Sequence, residues 1–195
     1  MNKKEVATSK FLSLILRHVP ERIGIELDEN GWADTDLLIQ KINDHNHELT
    51  LDMLKHIVDT NQKKRFTFDD SFKRIRANQG HSIPIELGLR PEVPPDILYH
   101  GTAIQHANSI IEQGIKKQNR LHVHLSKDIE TAKSVGQRHG KPILFEINAL
   151  AMFQDRFDFF LSENGVWLAD HVPAQYLRFS ISNENLLNRT ITHKF

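Results

Sequence analysis

Apolar residues recur at helical spacing through the first part of the chain and alternate at strand spacing later. Phe11, Leu12, Ile15, Leu16 and Val19 make one face of a helix predicted from Ser9, as N-cap, to Val19, with Pro20 as its stop. Gly24-Ile25-Glu26-Leu27, a turn at Asp28–Gly31 and Trp32-Ala33 follow. A second helix, capped by Asp34 or Thr35, turns Leu37, Leu38 and Ile42 inward, and a third, capped by Thr50, runs from Leu51 to Thr60. Lys64–Phe68 then alternates, Asp69-Asp70-Ser71 turns, and Phe72–Ala77 returns as a hairpin. Three helices and a hairpin predict a winged-helix unit, a form of helix-turn-helix that meets nucleic acid.

Pro84, Pro91, Pro94 and Pro95 crowd the next stretch, which has little helical period. It is read as a linker, 85–96, between a lobe of residues 1–84 and a lobe of residues 97–195. The second lobe opens with a strand, Ile97-Leu98-Tyr99, running into His100-Gly101-Thr102, where Gly101 lets the backbone approach a neighbour. Ile104–Gln113 is a helix closing on Gly114. Leu121, Val123 and Leu125 alternate with His122, His124 and Ser126, and Ser126 is read as the cap of a helix over Lys127–Val135. Gly136–Gly140 is a donor-rich loop, Ile143–Ile147 an apolar strand, and Leu150–Phe153 a turn of helix. A hairpin over Phe159–Leu168 and a last strand, Tyr176–Ile181, complete the lobe. Strands outnumber helices there, so the whole is α+β with a mainly antiparallel second lobe.

Composition changes this picture little. The 195 residues fit two small domains, and the 39% hydrophobic content is that of a folded globule. Lysine and arginine balance aspartate and glutamate at 25 each, so an anionic ligand must be held by local clusters. Lys63, Lys64, Arg65, Lys73, Arg74 and Arg76 form one such cluster on the hairpin, a candidate RNA or DNA contact. The absence of cysteine excludes disulfides and thiolate zinc sites and suits a reducing compartment. No apolar run is long enough for a membrane span, and Met1-Asn2-Lys3-Lys4 does not open a signal sequence, so a cytoplasmic protein is expected.

Three polar groups on one strand face, His122, His124 and Ser126, suggest that the face lines a site. Arg17 and His18 end the first helix, where cations also complement the helix dipole. Six histidines lie between His100 and His171, but His122-x-His124 has no third ligand at a recognisable spacing, so no metal is expected. Walker, Rossmann and nucleophile-elbow signatures are missing.

Several short motifs, taken in order, resemble the RNA 2′-phosphotransferases, which remove an internal 2′-phosphate using NAD. They are Ser9–Ser13 with Leu16-Arg17-His18, Gly31-Trp32-Ala33, Lys63–Phe66, Ile75-Arg76-Ala77 and Gln79-Gly80-His81-Ser82. In the second lobe they are Leu98–Thr102, His122–Ser126, Arg138-His139-Gly140 and Asn164–Leu168. The resemblance implies an N-terminal winged-helix lobe that meets RNA and a C-terminal ADP-ribosyltransferase-like lobe that holds NAD. It implies a catalytic quartet of Arg17, His18, Arg65 and Arg120, with Arg120 from the second lobe and the phosphate between lobes. NAD would be consumed as a co-substrate and held by His100, Gly101, Thr102, His124 and Ser126, with His122 the alternative to His124, and by Arg138 and His139. Lys63, Lys64, Arg74 and Arg76 are expected to contact RNA, with tRNA of a splicing pathway as one candidate, and a monomer is expected. Many ADP-ribosyltransferases carry a glutamate where this chain has Val166; an anionic phosphate nucleophile needs little deprotonation. Glu163 is read as a turn carboxylate, and Trp32, Trp167, Phe157, Phe159 and Phe160 as core.

Two other readings stay open: an ADP-ribosyltransferase acting on nucleic-acid terminal phosphates or protein, and a non-enzymatic NAD-sensing nucleic-acid-binding protein.

Overall fold

A computed structural model describes residues 3–179, without the side chain of His139. The chain forms two compact units. Unit 1 takes the chain up to Leu89 together with Asn119–Leu121 and Ser162–Asn164; unit 2 takes Arg90–Gln118, His122–Leu161 and the chain from Gly165.

Unit 1 is built from three helices, α1 (Lys3–Arg17), α2 (Thr35–Asn43) and α3 (Leu51–Thr60), and three strands, β1 (Ala33–Asp34), β2 (Phe66–Phe68) and β3 (Arg74–Ala77). The strands pair antiparallel in the order β1-β3-β2, with Phe66 opposite Ala77 and Ala33 opposite Ile75. Helix α1 begins well before Ser9. Ser9 lies buried in mid-helix, its hydroxyl accepting from Asn61 Nδ2 at 3.3 Å, so it does not act as the N-cap. The caps of the next two helices are as predicted: Asp34 accepts from the Leu37 amide and Thr50 from the Met53 amide. Leu37 itself is 40% exposed, because the inward stripe of α2 runs through Leu38 and Ile42. The core gathers Leu12, Ile15 and Leu16 of α1 with Leu38, Leu54, Ile57 and Ile75. Each such side chain stabilises the unit by about 2 kcal/mol through burial.

Unit 2 holds two three-stranded antiparallel sheets. In one, β7 (Pro142–Asn148) lies between β4 (Ile97–Ala103) and β11 (Leu177–Phe179). In the other, β9 (Trp167–Ala169) lies between β6 (Val123–Leu125) and β8 (Phe159–Leu161). Tyr99 and Ser126 exchange two backbone hydrogen bonds of 2.8 Å, joining β4 to the end of β6. A short pair, β5 (Ile115–Lys116) with β10 (His171–Val172), stands apart from both sheets. The helices are α4 (Ala107–Gln113), α5 (Ile129–Gly136) and α6 (Ala149–Gln154). Leu98, Phe145, Ile147, Met152, Phe159 and Trp167 form the core. The cap of α5 is Asp128, accepting from the Thr131 amide at 2.7 Å; Ser126 is engaged in the bridge to Tyr99 instead. Of the predicted last strand, Ser180 and Ile181 lie outside the described residues.

The proline-bearing stretch is hydrogen-bonded at both ends. The Glu86 amide donates to Glu29 O within unit 1, and the Glu92 amide to Phe159 O within unit 2. Among the described residues no helix is long and apolar enough to cross a membrane.

Candidate active site

Arg17 closes α1, one residue beyond the buried Leu16. Its guanidinium is covered because the chain after β3 passes over it. A β-carbon at Gly80 would lie 3.5 Å from Arg17 Nη1, and Gly80 has φ +91°, a conformation that side chains with a β-carbon rarely adopt. The Ser82 amide donates to Arg17 O at 3.0 Å, while the Ser82 hydroxyl meets His18 Nδ1 at 2.9 Å. His18 stays in the last helical turn through its amide bond to Leu14 O.

Arg65 is aimed by the turn that enters β2. Asn61, beyond α3, accepts from the Lys63 amide through its side chain and from the Lys64 amide through its carbonyl. Asn78 answers from the far side: its amide donates to Arg65 O, and its Nδ2 to Lys64 O. Lys64 sits at φ 39° within this clasp. Arg120 is placed by its neighbour, since the Leu121 amide donates to His81 O at 3.2 Å. Residues 119–121 thus fold with unit 1, although chain order assigned Arg120 to the second lobe. All four quartet residues belong to one unit.

The electrostatics register this crowding. Burial, then Arg65 and Arg120, lower the pKa of Arg17 from the ordinary guanidinium value to about 10. Its Nε and Nη2 are buried and have no hydrogen-bond partner. Burial, Arg17 and Arg120 also lower the pKa of His18, so its neutral form is favoured. His81, 1% exposed, has both ring nitrogens without a partner, and its pKa falls to about 4 through burial and then the charges of Arg17, His18 and Arg76. Buried polar atoms without partners also occur on Arg76 (Nε), Asn78 (Oδ1) and Gln79 (Oε1). Native interiors satisfy nearly all such groups with protein, water or ligand, so this set leaves polar groups open to a ligand or to ordered water. The unpartnered Nε and Nη2 of Arg17, beside the charges of Arg65 and Arg120, suit a phosphate dianion.

The hairpin cations divide. Arg74 pairs with Asp69 at 3.2 Å and Asp28 at 3.7 Å, and Arg76 with Glu163 at 2.6 Å. Both guanidiniums lie over the Trp32 ring, 5.3 and 4.6 Å from its centroid, so Trp32 is a partly exposed platform and not core. Glu163 does more than end a turn, because it neutralises Arg76. Lys63 and Lys64 are exposed, and Lys63 O accepts from Asn164 Nδ2.

In unit 2, His100, Thr102, His124 and Ser126 are half-buried where β4 meets the end of β6, and His100 Nδ1 lies 3.1 Å from His124 O. Gly101 opposes Leu144, and a β-carbon on it would overlap the Ala132 carbonyl of α5. The close neighbour that Gly101 admits is therefore a helix backbone. His122 packs near Phe160, with its pKa lowered by burial and then by Lys117, against a raising effect of Asp170. Arg138 is exposed in a 3-10 turn; the side chain of His139 lies outside the described residues. A cavity of about 240 Å³ lined by Arg156, Phe157, Asp158, Phe160, Asp170 and His171 contains none of the predicted NAD contacts.

Sequence reasoning missed Asn61, Asn78 and Ser82 as supports. Gln79–Ser82 was visible as a motif, but nothing in its pattern showed that it returns over Arg17.

A family model described as "RNA 2′-phosphotransferase, Tpt1 / KptA family" matches residues 3–171. A protein of Fusobacterium nucleatum named "Probable RNA 2′-phosphotransferase" is 52% identical over 176 residues, covering 90% of this chain and 98% of the relative. A protein of Trichormus variabilis with the same name is 49% identical over 174 residues, covering 89% and 96%. One of Acaryochloris marina, again so named, is 52% identical over 176 residues, covering 90% and 97%. With its cluster of arginines at the end of α1, just before β2 and in the 119–121 segment, and with this match along most of its length, the chain belongs to the Tpt1 / KptA family of RNA 2′-phosphotransferases.

Proposed function

We propose that the chain transfers the internal 2′-phosphate of RNA to NAD, yielding RNA with a free 2′-hydroxyl, nicotinamide and ADP-ribose 1″,2″-cyclic phosphate. Unit 1 is read as a winged-helix lobe that meets the RNA, and unit 2 as an ADP-ribosyltransferase-like lobe that holds NAD. The observation that carries this reading is Arg17, whose Nε and Nη2 are buried and unpartnered and whose cation is disfavoured by burial and then by Arg65 and Arg120. Such a cluster is costly in the free protein and is stabilised by a bound dianion.

In the first step a 2′-phosphate oxygen attacks the anomeric carbon of the nicotinamide ribose. The glycosidic C–N bond breaks, and nicotinamide leaves with the electron pair. In the second, the ribose 2″-hydroxyl attacks phosphorus, the bond to the RNA 2′-oxygen breaks, and that oxygen takes up a proton. Arg17, Arg65 and Arg120 clamp the phosphate and spread the charge of the five-coordinate species. His18, biased toward its neutral form in the free protein, receives the 2″-hydroxyl proton and returns it to the leaving RNA oxygen. A bound dianion raises the proton affinity of His18 as that proton must be taken.

NAD is assigned to the strip where β4 meets the end of β6, with His100, Thr102, His124 and Ser126 as polar contacts. Gly101 contributes through the backbone geometry that its packing on α5 fixes. Arg138 is assigned to the pyrophosphate or adenosine end, with His139 beside it in sequence. Lys63 and Lys64 meet the RNA backbone, and Arg74 and Arg76 flank them from the Trp32 platform.

The test is an RNA oligonucleotide bearing one internal 2′-phosphate, incubated with and without NAD beside an Arg65→Ala variant and followed by chromatography and mass. Dephosphorylated RNA with the cyclic phosphate, formed only with NAD, is the expected result, with ADP-ribosylated RNA accumulating in the variant. Intact 2′-phosphate after incubation of an NAD-binding wild-type protein overturns the reading in favour of plain ADP-ribosyl transfer.

A further inference from the structure

We propose that Ser82 is the positioning residue for His18, holding the imidazole through Nδ1 so that Nε2 is the nitrogen presented to substrate. The proposal rests on the assignment of His18 to phosphate transfer.

One tripeptide touches much of the cluster. Gly80 covers the Arg17 guanidinium, the His81 carbonyl holds the Leu121 amide next to Arg120, and Ser82 engages both Arg17 and His18. The Ser82 main chain is fixed first, by its amide bond of 3.0 Å to Arg17 O. Its hydroxyl, one torsion away from that anchor, then meets His18 Nδ1 at 2.9 Å. The imidazole has two torsions of its own, and this hydrogen bond sets the ring plane relative to Arg17.

The chemistry of the hydroxyl matters as much as its place. With Nε2 as the nitrogen that takes and returns the proton, Nδ1 carries hydrogen in both ring states, and the Ser82 hydroxyl oxygen accepts from it throughout. A carboxylate at this position would bind the imidazolium and raise its proton affinity, opposing Arg17 and Arg120, which lower it. Serine thus lets Nε2 gain and lose a proton while the ring stays in place, as a residue that serves base and acid in turn requires.

The experiment uses full-length protein with 15N-labelled histidine, as wild type, Ser82→Ala, Ser82→Thr and His18→Ala. Long-range proton–nitrogen spectra assign the two His18 ring nitrogens, and steady-state kinetics with 2′-phosphorylated RNA and NAD run in parallel. The wild type is expected to show well-separated Nδ1 and Nε2 shifts, the mark of one dominant tautomer. In Ser82→Ala the shifts should move toward tautomer-averaged values, and kcat should fall about tenfold while KM for RNA stays within about twofold. Ser82→Thr, which keeps the hydroxyl, should restore both. Unchanged shifts and kcat in Ser82→Ala overturn the proposal, as does Ser82→Thr behaving like Ser82→Ala. Full activity of His18→Ala would sink the assignment of His18 to the reaction, while the nitrogen shifts still decide whether Ser82 orients the ring.

Discussion

Removing the Arg17 charge should make the ligand-free protein more stable while destroying its activity. A fall in pKa from the ordinary guanidinium value to about 10, at 1.36 kcal/mol per pH unit, means that the folded state penalises this cation by about 3 kcal/mol. Arginine stays protonated at neutral pH, so the penalty is carried by every molecule of free protein. Met in its place keeps an apolar stem of similar length under Gly80 and removes both unpartnered donors. Imperfect filling of the vacated space returns about 1 kcal/mol. The net expectation for Arg17→Met is a gain of about 2 kcal/mol, or roughly 1 M in urea midpoint for a typical slope. The assay is urea unfolding in a Trp167→Phe background, where Trp32 fluorescence reports unit 1 alone. Phosphotransfer by Arg17→Met should fall at least about 100-fold. Inorganic phosphate should raise the midpoint of the Arg17 protein and leave Arg17→Met unmoved. A variant less stable by more than about 1 kcal/mol would show that the guanidinium supports the fold, and the argument from its discomfort to a dianion site would fail.

Gly101→Ala should destabilise unit 2 by about 3 kcal/mol or more, read as a lower thermal midpoint, because its β-carbon would collide with the Ala132 backbone of α5. A midpoint within a degree of wild type refutes that packing. His81 is neutral in the folded state down to about pH 4 but titrates near 6.5 when unfolded, so its contribution is present above 6.5 and lost as pH falls toward 4. His81→Phe should flatten stability over that window by about 3 kcal/mol relative to wild type; parallel pH profiles would contradict the shift. Lys64→Gln should lower the slope of log affinity for single-stranded RNA against log salt by about 0.7. Arg74→Gln, whose charge is already met by Asp69 and Asp28, should leave that slope unchanged, and equal effects would show that these ion pairs open in the complex.

Local signals served the sequence reading well where one residue decides an outcome. Asp34 and Thr50 cap their helices as their side-chain chemistry requires, and the two antiparallel hairpins lie where alternation and turn residues put them. Ser9 misled because a serine before an apolar run looks the same whether it caps a helix or is buried inside one; the deciding contact, Asn61, is 52 residues away. Ser126 failed as a cap for a similar reason, being taken by a strand partner that period alone cannot identify. The motifs named Arg17, His18, Arg65 and Arg120, but only folding shows that Arg120 belongs to unit 1, that Arg74 and Arg76 are already paired, and that Gly80–Ser82 covers Arg17.

The assignment of Asn119–Leu121 and Ser162–Asn164 to unit 1 has a consequence for biosynthesis. A ribosome delivers the three helices and the hairpin first, yet Arg120 and the Glu163 partner of Arg76 emerge much later. Until then the nascent unit holds Arg17 and Arg65 without the third guanidinium and leaves Arg76 without its carboxylate. The three arginines therefore come together late in translation, and a chain stalled before Asn119 carries the hairpin's cations without the third guanidinium. Separate evolution of the two units is constrained in the same way, because neither can be cut out as one continuous stretch without losing part of the other.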